Sequence, residues 1–178
     1  MFHEMRGGYS ALLSLLVRDY LEGKKNLIGI EIGSYAGESA SIFLSKDSFK
    51  TLYCIDPWEM NYDPDDEAGD EHIVEAEAEF DRRFNNCKQV VKLKHRSNEV
   101  VSLFQDESID FIYIDGCHLY DAFKQDLENY VPKIKHGGII SGHDWHDHWK
   151  VPQALREYFK RDPLSIYPDG GSWVYIKD

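Results

Sequence analysis

The chain has 178 residues, 42% of them hydrophobic, which suits one domain, 1–178, with a buried core. Lys plus Arg number 20 and Asp plus Glu 32, a net charge of −12, which argues against nucleic acid and anionic membrane surfaces as main partners because both are polyanions. Cys54, Cys87 and Cys117 cannot all pair within one chain and read as free thiols in a reducing cytosol. The apolar run ALLSLLV is short and is followed by Arg18 and Asp19, so no signal peptide or membrane span is expected and the expected location is cytoplasmic.

In chain order, Tyr9, Leu12, Leu13, Leu16, Val17 and Tyr20 form a helical stripe over 9–21. NLIGIEI (26–32) is a buried strand ending at Gly33, and ESASIFLS (38–45) a helix opening at the loop between them. TLYCID (51–56) is a second strand, stopped by Pro57. The insert of about 59–86 follows, and residues 59–81 hold eleven acidic side chains and no Lys or Arg. Ile73, Phe80 and Phe84 share one face, which predicts a helix at about 70–85 with a solvated acidic side; a movable lid and a surface for a basic acceptor are the sharper alternatives. QVVKLK (89–94) is a third strand, and Ser97 and Asn98 are candidate caps for the helix EVVSLF. SIDFIYID (108–115) is a fourth strand, and Phe123, Leu127 and Tyr130 mark a helix over 119–131. GGIISGHDW (137–145) is a fifth strand with its mouth, PQALREYFKR (152–161) a helix opened by proline, and LSIYP with SWVYIK a closing hairpin around Asp169, Gly170 and Gly171.

Strands alternating with helices predict a mainly parallel sheet covered on both faces. Ligands of such sheets bind at the carboxyl ends of strands, where Glu31, Asp56, Asp115, His143 and Asp144 all fall. The loop in GIEIGSYAGES (29–39) lacks the Gly-Lys-Ser/Thr ending of a P-loop. Its glycines at 29, 33 and 37 do not match G-x-G-x-x-G, and Glu31 and Glu38 would repel a pyrophosphate. A nucleoside ligand with positive charge and no phosphate suits it better. S-adenosylmethionine, with a ribose, an ammonium and a sulfonium, has that character, and glycines let the backbone approach it closely.

GIEIGSYAGESA followed by YCIDPW resembles the first two motifs of class I S-adenosylmethionine-dependent methyltransferases. IDFIYIDGCHLYDAFKQDLENYVPKIKHGGIISGHDW resembles the family 24 methyltransferases, related to metal-dependent sugar O-methyltransferases and, more distantly, to catechol O-methyltransferases. The resemblance runs from about residue 27 to 145. It implies a Rossmann-like α/β fold whose seven-stranded, mainly parallel sheet ends in a C-terminal antiparallel hairpin. It also implies a small-molecule acceptor, a sugar or other hydroxyl compound, and pairing into homodimers.

The resemblance assigns Glu31, Gly33, Ser34, Tyr35 and Gly37 to the loop holding the methionine part of the cofactor, against an ordinary strand-to-helix turn. Asp56 matches the ribose-binding acid, and Pro57 follows it. Trp58 is a candidate to stack on adenine, or simple packing. Ser97 falls where relatives contact adenine, yet serves equally well as a helix cap. Asp115 matches a position near both cofactor and metal. With His143 and Asp144 it matches the relatives' magnesium site, where hard cations want oxygen ligands. His143 departs from the expected acid and shifts preference toward manganese, iron or zinc, or binds none. His118 matches the candidate general base, since histidine titrates near neutral pH, and Tyr120 and Asp121 would line the pocket or orient it. His143, His146 and His148 could alternatively form a metal cluster of their own, although Trp145 to Trp149 read better as acceptor pocket or lid.

The function expected is metal-assisted O-methylation of a small molecule, with Mg or Mn as the candidate ion. The alternatives are a cofactor- or metal-binding module without methyl transfer, and a nicotinamide-dependent oxidoreductase.

Overall fold

A computed structural model describes residues 13–62, 72–146, 150–167 and 171–178. The order of elements is α1 (13–21, closing in a wider turn over Val17–Leu21), β1 (Leu27–Ile32), α2 (Glu38–Leu44), β2 (Phe49–Ile55), α3 (Ile73–Phe84), β3 (Val90–Leu93) and α4 (Ser97–Val100). The chain continues through β4 (Ile109–Ile114), α5 (Tyr120–Tyr130), β5 (Ile134–Gly142), α6 (Val151–Phe159), β6 (Ser165–Ile166) and β7 (Trp173–Ile176).

The seven strands pair in the order β3-β2-β1-β4-β5-β7-β6. The first five are parallel, and β7 runs antiparallel to both β5 and β6. The predicted seven-stranded sheet and its closing hairpin are therefore present; the hairpin's predicted turn residues Asp169 and Gly170 lie outside the described residues, as do Tyr9, Leu12 and residues 63–71 of the insert. No helix among the described residues is long and apolar enough to cross a membrane.

Successive strand residues face opposite sides of a sheet, and each side here has its own core. Ile30, Ile32, Ile112, Ile114 and Ile140 pack under α4, α5 and α6 with Phe123, Leu127, Tyr130 and Leu155. Cys54, Phe111, Tyr113 and Ile139 pack under α1, α2 and α3 with Leu16, Phe43 and Phe80. This double coverage explains why the central strands are almost continuously apolar. Glu31, set between Ile30 and Ile32, is left facing the second core beside Cys54.

Two local expectations are corrected. Ser97 does not cap α4: the helix begins at Ser97 itself, and the N–H of the preceding Arg96 donates to the Glu99 carboxylate at 3.0 Å. The acidic side of α3 is not simply solvated. Glu77 and Asp81 accept from Lys92 Nζ at 2.8 and 2.6 Å, and Glu77 also accepts from Lys94 at 2.6 Å.

Candidate active site at the strand mouths

The chain leaves β1 outward to β2 and β3, then returns to place β4 against the other side of β1. That reversal opens a crevice at the carboxyl ends of the strands. Ladder bonds carry past the strand ends and fix the loops around it: Gly33 N–H to Ile55 O at 2.9 Å, Asp115 N–H to Ile32 O at 2.9 Å, His143 N–H to Ile114 O at 3.2 Å.

On the β1 side, the Glu31 carboxylate is fully buried, and among the described residues neither its oxygens nor the Ser34 hydroxyl has a partner in good hydrogen-bond geometry, although the Ser34 and Ser39 hydroxyls lie close to it. Burial pushes the Glu31 carboxyl up to about 7, the nearby Ser34 and Ser39 hydroxyls soften the rise, and the charge of Asp115 adds to it. Buried acceptors without donors are rare in folded proteins. Such a pair beneath a glycine loop has the donor-seeking chemistry that an ammonium-bearing cofactor supplies.

The glycines answer to the protein's own packing. Gly33 has φ +85, and a Cβ there would lie 1.9 Å from the Asp115 carbonyl oxygen. Gly37 has φ +78, and its Cβ would lie 2.4 Å from the Phe84 ring. Only glycine allows both the conformation and the approach.

On the β2 side, Asp56 is buried and ties the two loops together. Its Oδ2 accepts from the Tyr35 N–H at 2.9 Å and its Oδ1 from the Trp58 N–H at 2.7 Å. Burial raises its pKa, and these two N–H groups hold the rise back. Trp58, offered above as a stacking platform or as packing, is only 6% exposed. Its ring lies against Phe80, with centroids 5.0 Å apart, and under Lys92 Nζ at 4.5 Å, while its Nε1 donates to Tyr35 O at 2.9 Å. It packs, and in packing it holds Tyr35. Pro57 links it to Asp56.

Ser97 is turned inward. Its Oγ donates to Asp126 Oδ1 at 2.5 Å, and its carbonyl accepts from the Tyr130 hydroxyl at 2.6 Å. Asp126 is a buried acid that the sequence reading passed over; burial pushes it up to about 7 while Ser97 lowers it. The signal was present, since 126 falls within the stripe of Phe123, Leu127 and Tyr130, where an aspartate is out of place.

At the β4 and β5 mouths, Asp115, His118 and Asp144 each bring one ligand atom within 4.8 Å of the others. His118 Nε2 lies 2.8 Å from Asp144 Oδ2. His143 Nδ1 lies 3.1 Å from Asp144 Oδ1 and 3.9 Å from Asp115 Oδ1. Burial would raise the Asp144 carboxyl, but the imidazoles of His118 and His143 outweigh it and hold it well below the usual carboxylate range. The metal set expected from Asp115, His143 and Asp144 is thus joined by His118, with His143 set to the side. Asp144 itself has φ +61, and the turn is braced by Trp173, whose Nε1 donates to His143 O at 2.8 Å. His148 and Trp149 lie outside the described residues. Trp145 is half-buried, with the Arg156 guanidinium over its ring at 5.1 Å. The Tyr120 hydroxyl donates to Glu157 on α6.

This chain matches, over residues 30–145, the family described as Methyltransferase domain. It is 26% identical over 136 residues to the uncharacterized protein R132 of Acanthamoeba polyphaga mimivirus, an alignment covering 74% of this chain and 58% of that protein. It is 27% identical over 124 residues to the uncharacterized protein y4gI of Sinorhizobium fredii, covering 65% of this chain and 13% of that protein. The chain therefore spans under two thirds of the length of either relative. Among solved structures it superposes on the O-methyltransferase NovP with a TM-score of 0.68 at 17% identity, covering 95% of this chain and 78% of the other. The fold is that of the class I methyltransferases, and the chain belongs to the family 24 methyltransferase domains.

Proposed function

We propose that this chain transfers the methyl group of S-adenosylmethionine to a hydroxyl of a small molecule, with a sugar as the acceptor class that the family resemblance suggests. The observation that carries the reading is the 2.8 Å contact between His118 and Asp144, at the mouth next to the loop that follows Glu31. A hydroxyl needs a proton acceptor at the moment of attack, and an imidazole oriented by a carboxylate is suited to that task.

S-adenosylmethionine supplies an electrophilic methyl group. The buried Glu31 and Ser34, without a well-placed partner among the described residues, and the 33–37 loop suit its methionine end. Asp56 has one accepted bond on each oxygen, which leaves lone pairs for ribose hydroxyls. The family resemblance puts Pro57 and Ser97 toward the adenine, although the Ser97 hydroxyl is already given to Asp126. The chain's main contribution to rate is alignment of the acceptor oxygen with the reacting carbon. His118 takes the proton, and Asp144 fixes the imidazole and balances its charge.

A second reading is favoured by the compact group of Asp115, His118 and Asp144. Two carboxylates and an imidazole fit a divalent cation, and the nitrogen shifts preference from magnesium toward manganese. Such an ion would lower the pKa of a bound hydroxyl and hold its oxygen. The readings compete, because a His118 nitrogen held by a cation is not available to a proton. Cys54, Cys87 and Cys117 form no disulfide among the described residues, which fits a reducing compartment, and pairing of two copies belongs to the same reading.

The test is calorimetric titration with S-adenosylhomocysteine, with and without manganese or magnesium, followed by labelled methyl transfer to a panel of hydroxylated small molecules. Micromolar binding and transfer are expected. Transfer that survives chelation but falls at least a hundredfold in Asp144→Asn selects the His118–Asp144 dyad; transfer lost on chelation and restored by manganese selects the cation. Absence of cofactor binding in every condition removes the methyltransferase reading.

A further inference from the structure

We propose that Lys92 is a positioning residue for the cofactor loop, acting through Trp58, and that the acidic helix α3 holds it in that position. The proposal rests on the reading of the 33–37 loop as the methyl-donor site.

The loop carries backbone strain. Tyr35 and Trp58 both have φ +44, in the left-handed region that bulky residues avoid. Such conformations persist only where the surroundings over-determine them. Three bonds lock them to each other: both N–H groups donate to Asp56, and the Trp58 indole donates to the Tyr35 carbonyl. This lock involves one edge of the indole. What keeps the ring in place is packing against Phe80, with centroids 5.0 Å apart, and the Lys92 ammonium, which lies 4.5 Å from the Trp58 centroid and 5.8 Å from that of Phe80.

Lys92 is committed to that place. Its ammonium donates to Glu77 at 2.8 Å and Asp81 at 2.6 Å, one turn apart on α3, and its side chain is 25% exposed. An isolated surface ion pair contributes little; here two carboxylates hold one cation over an aromatic ring, where partial desolvation strengthens the contact. β3 delivers the lysine because Lys92 stands in register with Cys54, two residues before Asp56. A chain of contacts thus runs from the acidic helix through Lys92 and Trp58 to Tyr35, and no member of it other than the loop itself has to touch the cofactor.

The experiment compares the full chain with Lys92→Met, which keeps the apolar stem, and Lys92→Arg, which keeps the cation. Amide hydrogen exchange of the ligand-free proteins is read at 33–37 and 56–58. The same proteins are titrated with S-adenosylhomocysteine, and donor KM and kcat are separated. Lys92→Met is expected to exchange about tenfold faster in these two segments and to bind about tenfold more weakly, the size of a partly desolvated cation–π contact. Its kcat at saturating donor stays unchanged, and Lys92→Arg recovers both losses to within about threefold. Should Lys92→Met fail to fold, Glu77→Gln combined with Asp81→Asn, which releases the lysine from α3, carries the same expectation at about threefold.

Unchanged exchange in the two segments overturns the proposal. So does faster exchange spread evenly over the sheet, or a fall in kcat with donor affinity intact. If the unsubstituted protein binds no S-adenosylhomocysteine, the methyl-donor reading falls, while the exchange comparison still decides whether Lys92 holds the loop.

Discussion

Gly33 and Asp115 lie so close that a Cβ on the first would sit 1.9 Å from the carbonyl oxygen of the second. The loops after β1 and β4 therefore touch through bare backbone, and this contact sets the width of the crevice. Gly33→Ala adds both a left-handed penalty and a backbone collision. We expect a loss of about 3 kcal/mol in urea unfolding, with loss of cofactor binding at temperatures where the variant is still folded.

Glu31 makes stability pH-dependent. Its carboxyl sits at about 7 in the fold against 4.5 unfolded, because burial penalises the charge. The folded state therefore binds the proton more tightly, so stability falls as pH rises from about 4.5 to about 7 and levels off above. Glu31→Gln cannot ionise. In urea unfolding the variant should match the parent near pH 4.5 and exceed it at pH 8 by an amount on the order of 3 kcal/mol. A constant difference between the two across that range would remove this account of Glu31. The variant should also lose affinity for the cofactor, the usual trade of stability against function at a strained site.

Ser97 supplies the hydrogen bond found on the buried Asp126 carboxylate. Ser97→Ala raises the Asp126 pKa further and leaves a buried acid without that donor. The expected cost is about 1–3 kcal/mol at pH 8, where the carboxylate is charged, and clearly less at pH 5. Thermal unfolding at the two pH values measures the difference.

Trp173 braces the turn that carries His143 and Asp144. Trp173→Phe removes the donor to the His143 carbonyl and opens space in a fully buried site. A destabilisation of about 2–4 kcal/mol is expected. Methyl transfer measured well below the unfolding temperature should fall several-fold, because the His118–Asp144 pair loses its fixed support. Unchanged transfer in a destabilised variant would limit Trp173 to the core.

Much of the architecture was legible in the chain. Apolar runs of six or seven residues ending in Gly or Pro marked β1 and β2 within two residues of where they lie, and the stripe of Phe123, Leu127 and Tyr130 marked α5. These are local signals: the period of a helix or strand and the chemistry of a turn depend on neighbours within a few positions. Placing Glu31, Asp56, Asp115 and Asp144 at strand ends followed from the same signals.

What these residues touch was decided by the tertiary structure alone. The sequence left Trp58 as either a stacking platform or packing; the choice depends on Lys92 and Phe80, which reach it only because β3 lies beside β2 and α3 covers that face. It offered Ser97 as a cap, whereas the buried Asp126, 29 positions later, turns its hydroxyl inward. It grouped Asp115 with His143 and Asp144 and kept His118 apart as a base, although the loops after β4 and β5 bring His118 and Asp144 within 2.8 Å. Periodicity identifies the strands and their exposed ends, but it carries no information on strand order. That order arises from packing two apolar faces at once, and it determines which polar side chains share the crevice.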